Sequence, residues 1–274
     1  MAVLRYRAEL AELPRAWFER AVAVVFETVE DLRFRDGALL APDGSDSGVR
    51  LVAGRHIAPG ARYLLPPEQA PEGAVPASAE VEVVAWDRGR ESTVRLRQSS
   101  ATDELAATLA LRSVARPSSL RLQGRFGATG AAGPAGRLSN VAFRADADLD
   151  GWWAQAAGRA LGLPRGPSAP VTASAVHRLG RADAAVSVAP GAAGTWRVEI
   201  TVRLRGRSWV RPLAWALLPF FRRRIDGWIR GALVEAGRGW NRAVPELVRH
   251  GPDRQRERIA AALTSGADRG STEG

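Results

Sequence analysis

The stretch Trp196-Arg197-Val198-Glu199-Ile200-Thr201-Val202-Arg203-Leu204-Arg205-Gly206 carries the cleanest alternation in the chain. Trp196, Val198, Ile200, Val202 and Leu204 face one way, and Arg197, Glu199, Thr201, Arg203 and Arg205 the other. That is the period of a strand with one buried and one wet face. Through Gly206 the chain enters a segment, Trp209 to about Val248, that reads as one long helix. Pro212 suits its first turn, and Pro219 predicts a kink. Leu218, Phe221, Ile225, Trp228, Ala232, Ala236 and Trp240 recur every three or four residues and so form one apolar stripe, with Arg223, Asp226 and Arg230 opposite. The expectation is that this stripe turns inward beneath a curved sheet.

Working outward, Leu4, Tyr6, Ala8 and Leu10 alternate with Arg5, Arg7 and Glu9, predicting a first strand over Val3 to Leu10. Pro14 suits the start of a helix on which Trp17, Ala21, Val24, Val25, Thr28 and Leu32 share a face. Short strands broken by turns follow to about Pro76, among them Arg35-Asp36-Gly37 and Pro42-Asp43-Gly44. Asp87-Arg88-Gly89 predicts a hairpin turn between Val81–Val83 and Val94–Leu96. Leu105, Ala107, Leu109 and Leu111, then Leu120, Leu122, Gly124 and Phe126, extend an antiparallel meander with one apolar face.

The Gly/Ala/Pro stretch 127–136 reads as a linker. It looks like a phosphate loop only superficially, because no Gly-Lys-Ser/Thr follows. The predicted organisation is an N-terminal α+β half (1–126), the linker, a C-terminal half (137–250) and a disordered tail (251–274). Val141-Ala142-Phe143-Arg144-Ala145-Asp146 followed by Trp152-Trp153 echoes Leu4-Arg5-Tyr6-Arg7-Ala8-Glu9 followed by Trp17-Phe18. An incomplete tandem duplication is therefore one reading, and chance likeness in an Ala/Arg-rich chain is the other.

Composition bounds the chemistry. There is no cysteine, which removes disulfides, thiolate metal sites and cysteine nucleophiles and fits a reducing compartment. The net charge of +10 comes from 39 basic residues, every one an arginine. They are interleaved with Asp and Glu along many strands, so no specific nucleic-acid footprint is expected. Met1 to Arg7 lacks the apolar core of a secretory signal, and the richest apolar run, Leu213 to Phe221, is too short to span a bilayer. A cytoplasmic location is the expectation.

The order of these elements, together with Val198 to Gly206, Arg211-Pro212-Leu213 and Pro219-Phe220-Phe221-Arg222-Arg223, resembles the C-terminal end of actinobacterial START-like proteins, also called polyketide cyclase/dehydrase-like. The likeness covers about 60 residues at the level of pattern. It implies a helix-grip fold: an α+β architecture whose antiparallel, curved sheet wraps around a long C-terminal helix. It also implies a cavity between sheet and helix for a lipid, polyketide or other hydrophobic small molecule.

Leu218, Phe221, Ile225, Trp228, Trp196, Trp153 and His177 would line that cavity, although tryptophans serve core packing equally well. His56, His177 and His250 are isolated and not at metal-ligand spacing, so neither a metal site nor a cofactor is expected. No Gly-x-Ser-x-Gly elbow is present, and no Gly-x-Gly-x-x-Gly stands between a strand and a helix. Two functions stay open: binding or transport of a hydrophobic molecule, and a cyclase or aromatase in which His177, His56, Tyr6 or Asp226 moves protons. Arg222-Arg223-Arg224 beside an apolar stripe would also suit peripheral contact with an anionic membrane.

Overall fold

In the computed structural model the described residues are 2–40, 44, 46–66, 78–100, 102–128, 140–158, 169–206, 211–251 and 254–258, without the side chains of 211–225 and 228. In chain order the elements are β1 (Ala2–Ala11), α1 (Arg15–Asp31), β2 (Arg33–Arg35), β3 (Ala38–Leu40), β4 (Asp46–Ala53), β5 (Arg62–Leu65), β6 (Ser78–Trp86), β7 (Glu91–Ser99), β8 (Asp103–Arg112), β9 (Ser119–Ala128), β10 (Val141–Asp148), α2 (Leu149–Ala156), β11 (Val171–His177), β12 (Gly180–Pro190), β13 (Thr195–Gly206) and α3 (Arg211–His250).

They form two compact units. The first joins Met1–Pro14 to Val141–Arg249, and the second holds Arg15–Asn140 with His250–Gly274. The first strand leaves its sequence neighbours because it pairs antiparallel with β13 over its whole length, Ala2 opposite Leu204 through Ala11 opposite Thr195.

In the first unit the strand order is β1-β13-β12-β11-β10, all antiparallel. The register carries the apolar side of each strand across the sheet. Leu4 lies opposite Val202, which lies opposite Ala184; Ala8 lies opposite Val198, which lies opposite Val188. Two clusters result. Leu4, Tyr6 and Val202 pack with Ile229 and Leu233 of α3, while Val188, Trp196 and Val198 pack with Trp152, Trp153 and Trp240. Asp148 caps α2, its carboxylate accepting from the Gly151 N–H at 2.9 Å.

The second unit is a meander of β2 to β9 in sequence order. As expected, Val94, Leu109 and Leu122 fall in one row of a shared apolar face. Its core is Leu39, Val49, Ala61, Tyr63 and Val83. Side chains of α1 tie that helix to the strands: Phe26 lies 4.5 Å from the Trp86 ring, and Glu30 accepts from the Trp86 indole at 2.8 Å and from Arg88. In the tail, residues 254–258 are helical, and Arg256 pairs with Glu27 and Asp31.

This architecture corrects the helix-grip expectation. Antiparallel strand dominates the described residues, distributed over two units of five and eight strands, and neither sheet wraps a helix. The described half of α3 instead lies against β1 and β13 along one stripe, Ile229, Leu233, Gly237 and Trp240; Val244 is buried further along, and Ala232 and Ala236 are exposed. A helix held on one side has no need of an all-round apolar surface, and Arg230, Glu235, Arg238 and Arg242 fill the rest. The unequal complements, five strands with two helices against eight strands with one, do not repeat one another.

Candidate functional site

The candidate site lies in the first unit, where α3 runs alongside β1. A groove of about 580 Å³ lies between them. Ile200, Val198, Leu233, Val234 and Trp240 supply most of its apolar wall, and Tyr6, Arg230, Arg238 and Asn241 supply polar groups. Gly237 faces β1: a side-chain carbon there would make ordinary contact with Leu10, at 3.7 Å.

Each end of the groove is fixed by a hydrogen-bonded group reaching from α3 to β1. At one end the Tyr6 hydroxyl donates to Asp226 Oδ1 at 2.7 Å, and Arg230 donates to Asp226 Oδ2 at 3.3 Å. Burial, then the bond to Asp226, pushes the Tyr6 pKa up to about 12. The phenol therefore stays protonated at neutral pH and acts as a donor, not as a base. At the other end the Asn241 carboxamide serves β1 as a strand would, accepting from Ala11 N–H at 2.7 Å and donating to the Glu9 carbonyl at 2.9 Å. Beside it the Trp240 indole donates to the Ala11 carbonyl at 2.8 Å.

Of the residues expected to line a cavity, Leu218, Phe221, Ile225 and Trp228 have side chains outside the described residues, as do Arg222, Arg223 and Arg224. Trp196 is 3% exposed and packs edge-on to Trp152 with ring centres 5.5 Å apart, and 6.5 Å from Trp240. It is a core residue. Trp153 packs in the same cluster and donates to the Leu13 carbonyl at 3.4 Å. His177 ends β11, where its Nδ1 accepts from the Leu179 N–H at 3.3 Å.

Among the four candidate proton carriers, the structure joins Tyr6 and Asp226 directly. His56 belongs to the second unit and is fully engaged there. Its Nε2 lies 3.1 Å from the Val29 carbonyl, which can only accept, so Nε2 carries the proton. Nδ1 is then the acceptor for the Tyr63 hydroxyl at 2.9 Å, and that hydroxyl in turn accepts from the Ile57 N–H at 2.6 Å. Burial pushes His56 below the ordinary histidine value, against the opposing pull of the Val29 carbonyl.

This predicts a pH dependence with a definite sign. The unfolded histidine, with a pKa of about 6.5, binds a proton before the folded one does, so the stabilising contribution is complete above that value. It is lost as pH falls through 6.5 toward the lower folded pKa. Urea titrations should therefore show a decline in stability from pH 7.5 to pH 5 that is smaller in His56→Gln. An equal decline in both proteins would refute the assignment.

Sequence reading missed Leu233, Gly237 and Asn241. Counting back from Trp240 in steps of three and four reaches Gly237 and Leu233, so periodicity held a signal for those two. Nothing local marks Asn241, whose partners lie some 230 residues away.

Among the described residues no group of three His, Asp or Glu side chains is placed to hold a metal ion, and no helix is long and apolar enough to cross a membrane. Comparisons with family models, curated proteins and solved structures yield no match to this chain.

Proposed function

We propose that the protein binds a hydrophobic small molecule, of lipid or polyketide kind, in the groove between β1 and α3. The observation that carries this reading is a largely apolar groove of about 580 Å³, a size suited to a ligand of that class, with hydrogen-bonding groups at both ends. The ligand's body would lie on Ile200, Leu233 and Val234, with a polar head at Arg230 and Tyr6. Peripheral contact of Arg222, Arg223 and Arg224 with an anionic bilayer belongs to the same reading, as a route for loading cargo.

Val234 gives a clean test, because it is 47% exposed and its replacement should leave the fold intact. A naphthalene-sulfonate dye should bind the protein, and Val234→Glu should weaken it on the order of tenfold, since a carboxylate would have to be desolvated beside the ligand. Unchanged dye binding in a folded variant would remove the groove from consideration.

The enzyme reading rests on the Tyr6–Asp226 contact alone. In that case Tyr6→Phe would abolish conversion of a bound polyketide while leaving its binding in place.

A further inference from the structure

The first strand is the edge of its sheet, and its outward backbone groups can be assigned one by one. Glu12 N–H turns toward Gly194 at 2.9 Å, on the β13 side, so the even positions of β1 bond inward. The groups that Asn241 and Trp240 satisfy belong to Glu9 and Ala11, so the odd positions bond outward. Beyond the reach of Asn241, the outward N–H and C=O groups of Val3, Arg5 and Arg7 have no partner among the described residues. They form an open ladder about 17 Å long. The groove is lined by every residue from Arg5 to Leu10 in succession, as the edge of a strand is, and also by Val198 and Ile200 of the neighbouring strand.

We infer that the groove receives an extended peptide chain, added to β1 as a further strand, with acidic side chains alternating with small apolar ones. This rests on the groove proposed above and assigns it a different class of occupant, a peptide in place of a small molecule. An open edge beside a helix is a template for strand addition: main-chain hydrogen bonds hold the peptide, and pockets for alternate side chains select it. On an added strand, one set of side chains faces the α3 side, where Leu233 and Val234 ask for apolar groups. The other set faces the side carrying Arg5 and Arg7. With Arg230 and Arg238, four guanidinium groups line the groove; Arg230 is paired with Asp226 and Arg7 with Glu199, and with Glu9 as the third carboxylate the balance stays positive, so acidic partners are favoured.

A second copy of β1 is a poor occupant. Antiparallel self-pairing centred on Arg5 sets Arg5 against Arg5, and pairing centred on Arg7 needs the outward carbonyl of Glu9, which already accepts from Asn241.

The probe is a fluorescein-labelled acetyl-Glu-Val-Glu-Val-Glu-amide peptide, titrated into the full chain by anisotropy and in competition with the naphthalene-sulfonate dye. Binding is expected to displace the dye and to slow hydrogen exchange at the amides of Val3, Arg5 and Arg7. The same peptide N-methylated at alternate residues should bind at least about tenfold more weakly, having lost its donors. The Arg5→Glu/Arg7→Glu pair should reverse the preference toward a Lys-Val-Lys-Val-Lys peptide. Equal binding of the N-methylated peptide, or no protection along β1, overturns strand addition. Displacement of the dye by palmitate but not by the peptide overturns the peptide class and leaves the groove standing. A dye indifferent to Val234→Glu overturns both.

Discussion

Replacing Trp196 with alanine is expected to lower the free energy of unfolding by about 3–5 kcal/mol, the range found for deleting a large aromatic from a packed interior. The ring is 3% exposed and lies between Trp152 and Trp240, so its removal opens a cavity that two rigid indoles cannot fill. It also loses two aromatic contacts, each worth about 0.5–1.5 kcal/mol beyond area. Urea titration followed by far-UV circular dichroism measures the change. A loss below about 1 kcal/mol would mean that this cluster does not organise the first unit.

Gly54→Ala should be nearly as damaging, for a different reason. Gly54 sits at φ +79°, and a side-chain carbon there would lie 2.9 Å from the Ala61 Cα and 3.0 Å from both the Ala61 nitrogen and the Gly60 oxygen. All three are backbone atoms of a turn stitched to β6, with Gly60 N–H donating to the Val83 carbonyl at 2.8 Å and Val83 N–H to the Ala61 carbonyl at 2.9 Å. Neither side can give way. The expected cost is about 3 kcal/mol. Gly60→Ala supplies the control: its φ is +88°, but nothing lies within 4 Å, so only the left-handed penalty of about 1–2 kcal/mol should remain. Thermal melts of the two variants that coincide would contradict the steric account.

The period-two patterns that predicted strands hold where they were cleanest. Trp196 and Val198 are buried as expected, and the alternation of Leu4 and Tyr6 with Arg5 and Arg7 survives intact in β1. Local period reports which residues share a face, because the pleat enforces it. It does not report which strand lies alongside. The partnership of β1 with β13, which divides the chain into its units, is encoded in nothing nearer than the matching apolar sides of two distant segments.

The long helix shows a second limit. The apolar stripe expected from its sequence runs through Ala232 and Ala236, yet both are exposed, and the contact stripe runs through Leu233 and Gly237. In an alanine-rich chain, alanine satisfies every phase and so fixes none. A glycine contact is invisible to any count of side chains.

The histidines show a third. Isolation in sequence separated His56 from metal sites, but its engagement with Tyr63 and Val29 depends on a turn whose Ile57 adopts φ +51° and on a helix 27 residues upstream. No propensity foretells a β-branched residue in the left-handed region. The groove was hidden for the same reason as β1's partnership, since its two walls are the opposite ends of the chain.

That distance between β1 and its neighbour governs how the protein is made. Residues 2–11 leave the ribosome before the strand they pair with, which follows roughly 190 residues later. At ordinary elongation rates the wait is roughly ten to forty seconds. Throughout it this alternating apolar strand is without that partner, and arginines at positions 5 and 7 are the kind of charged residue that discourages premature pairing.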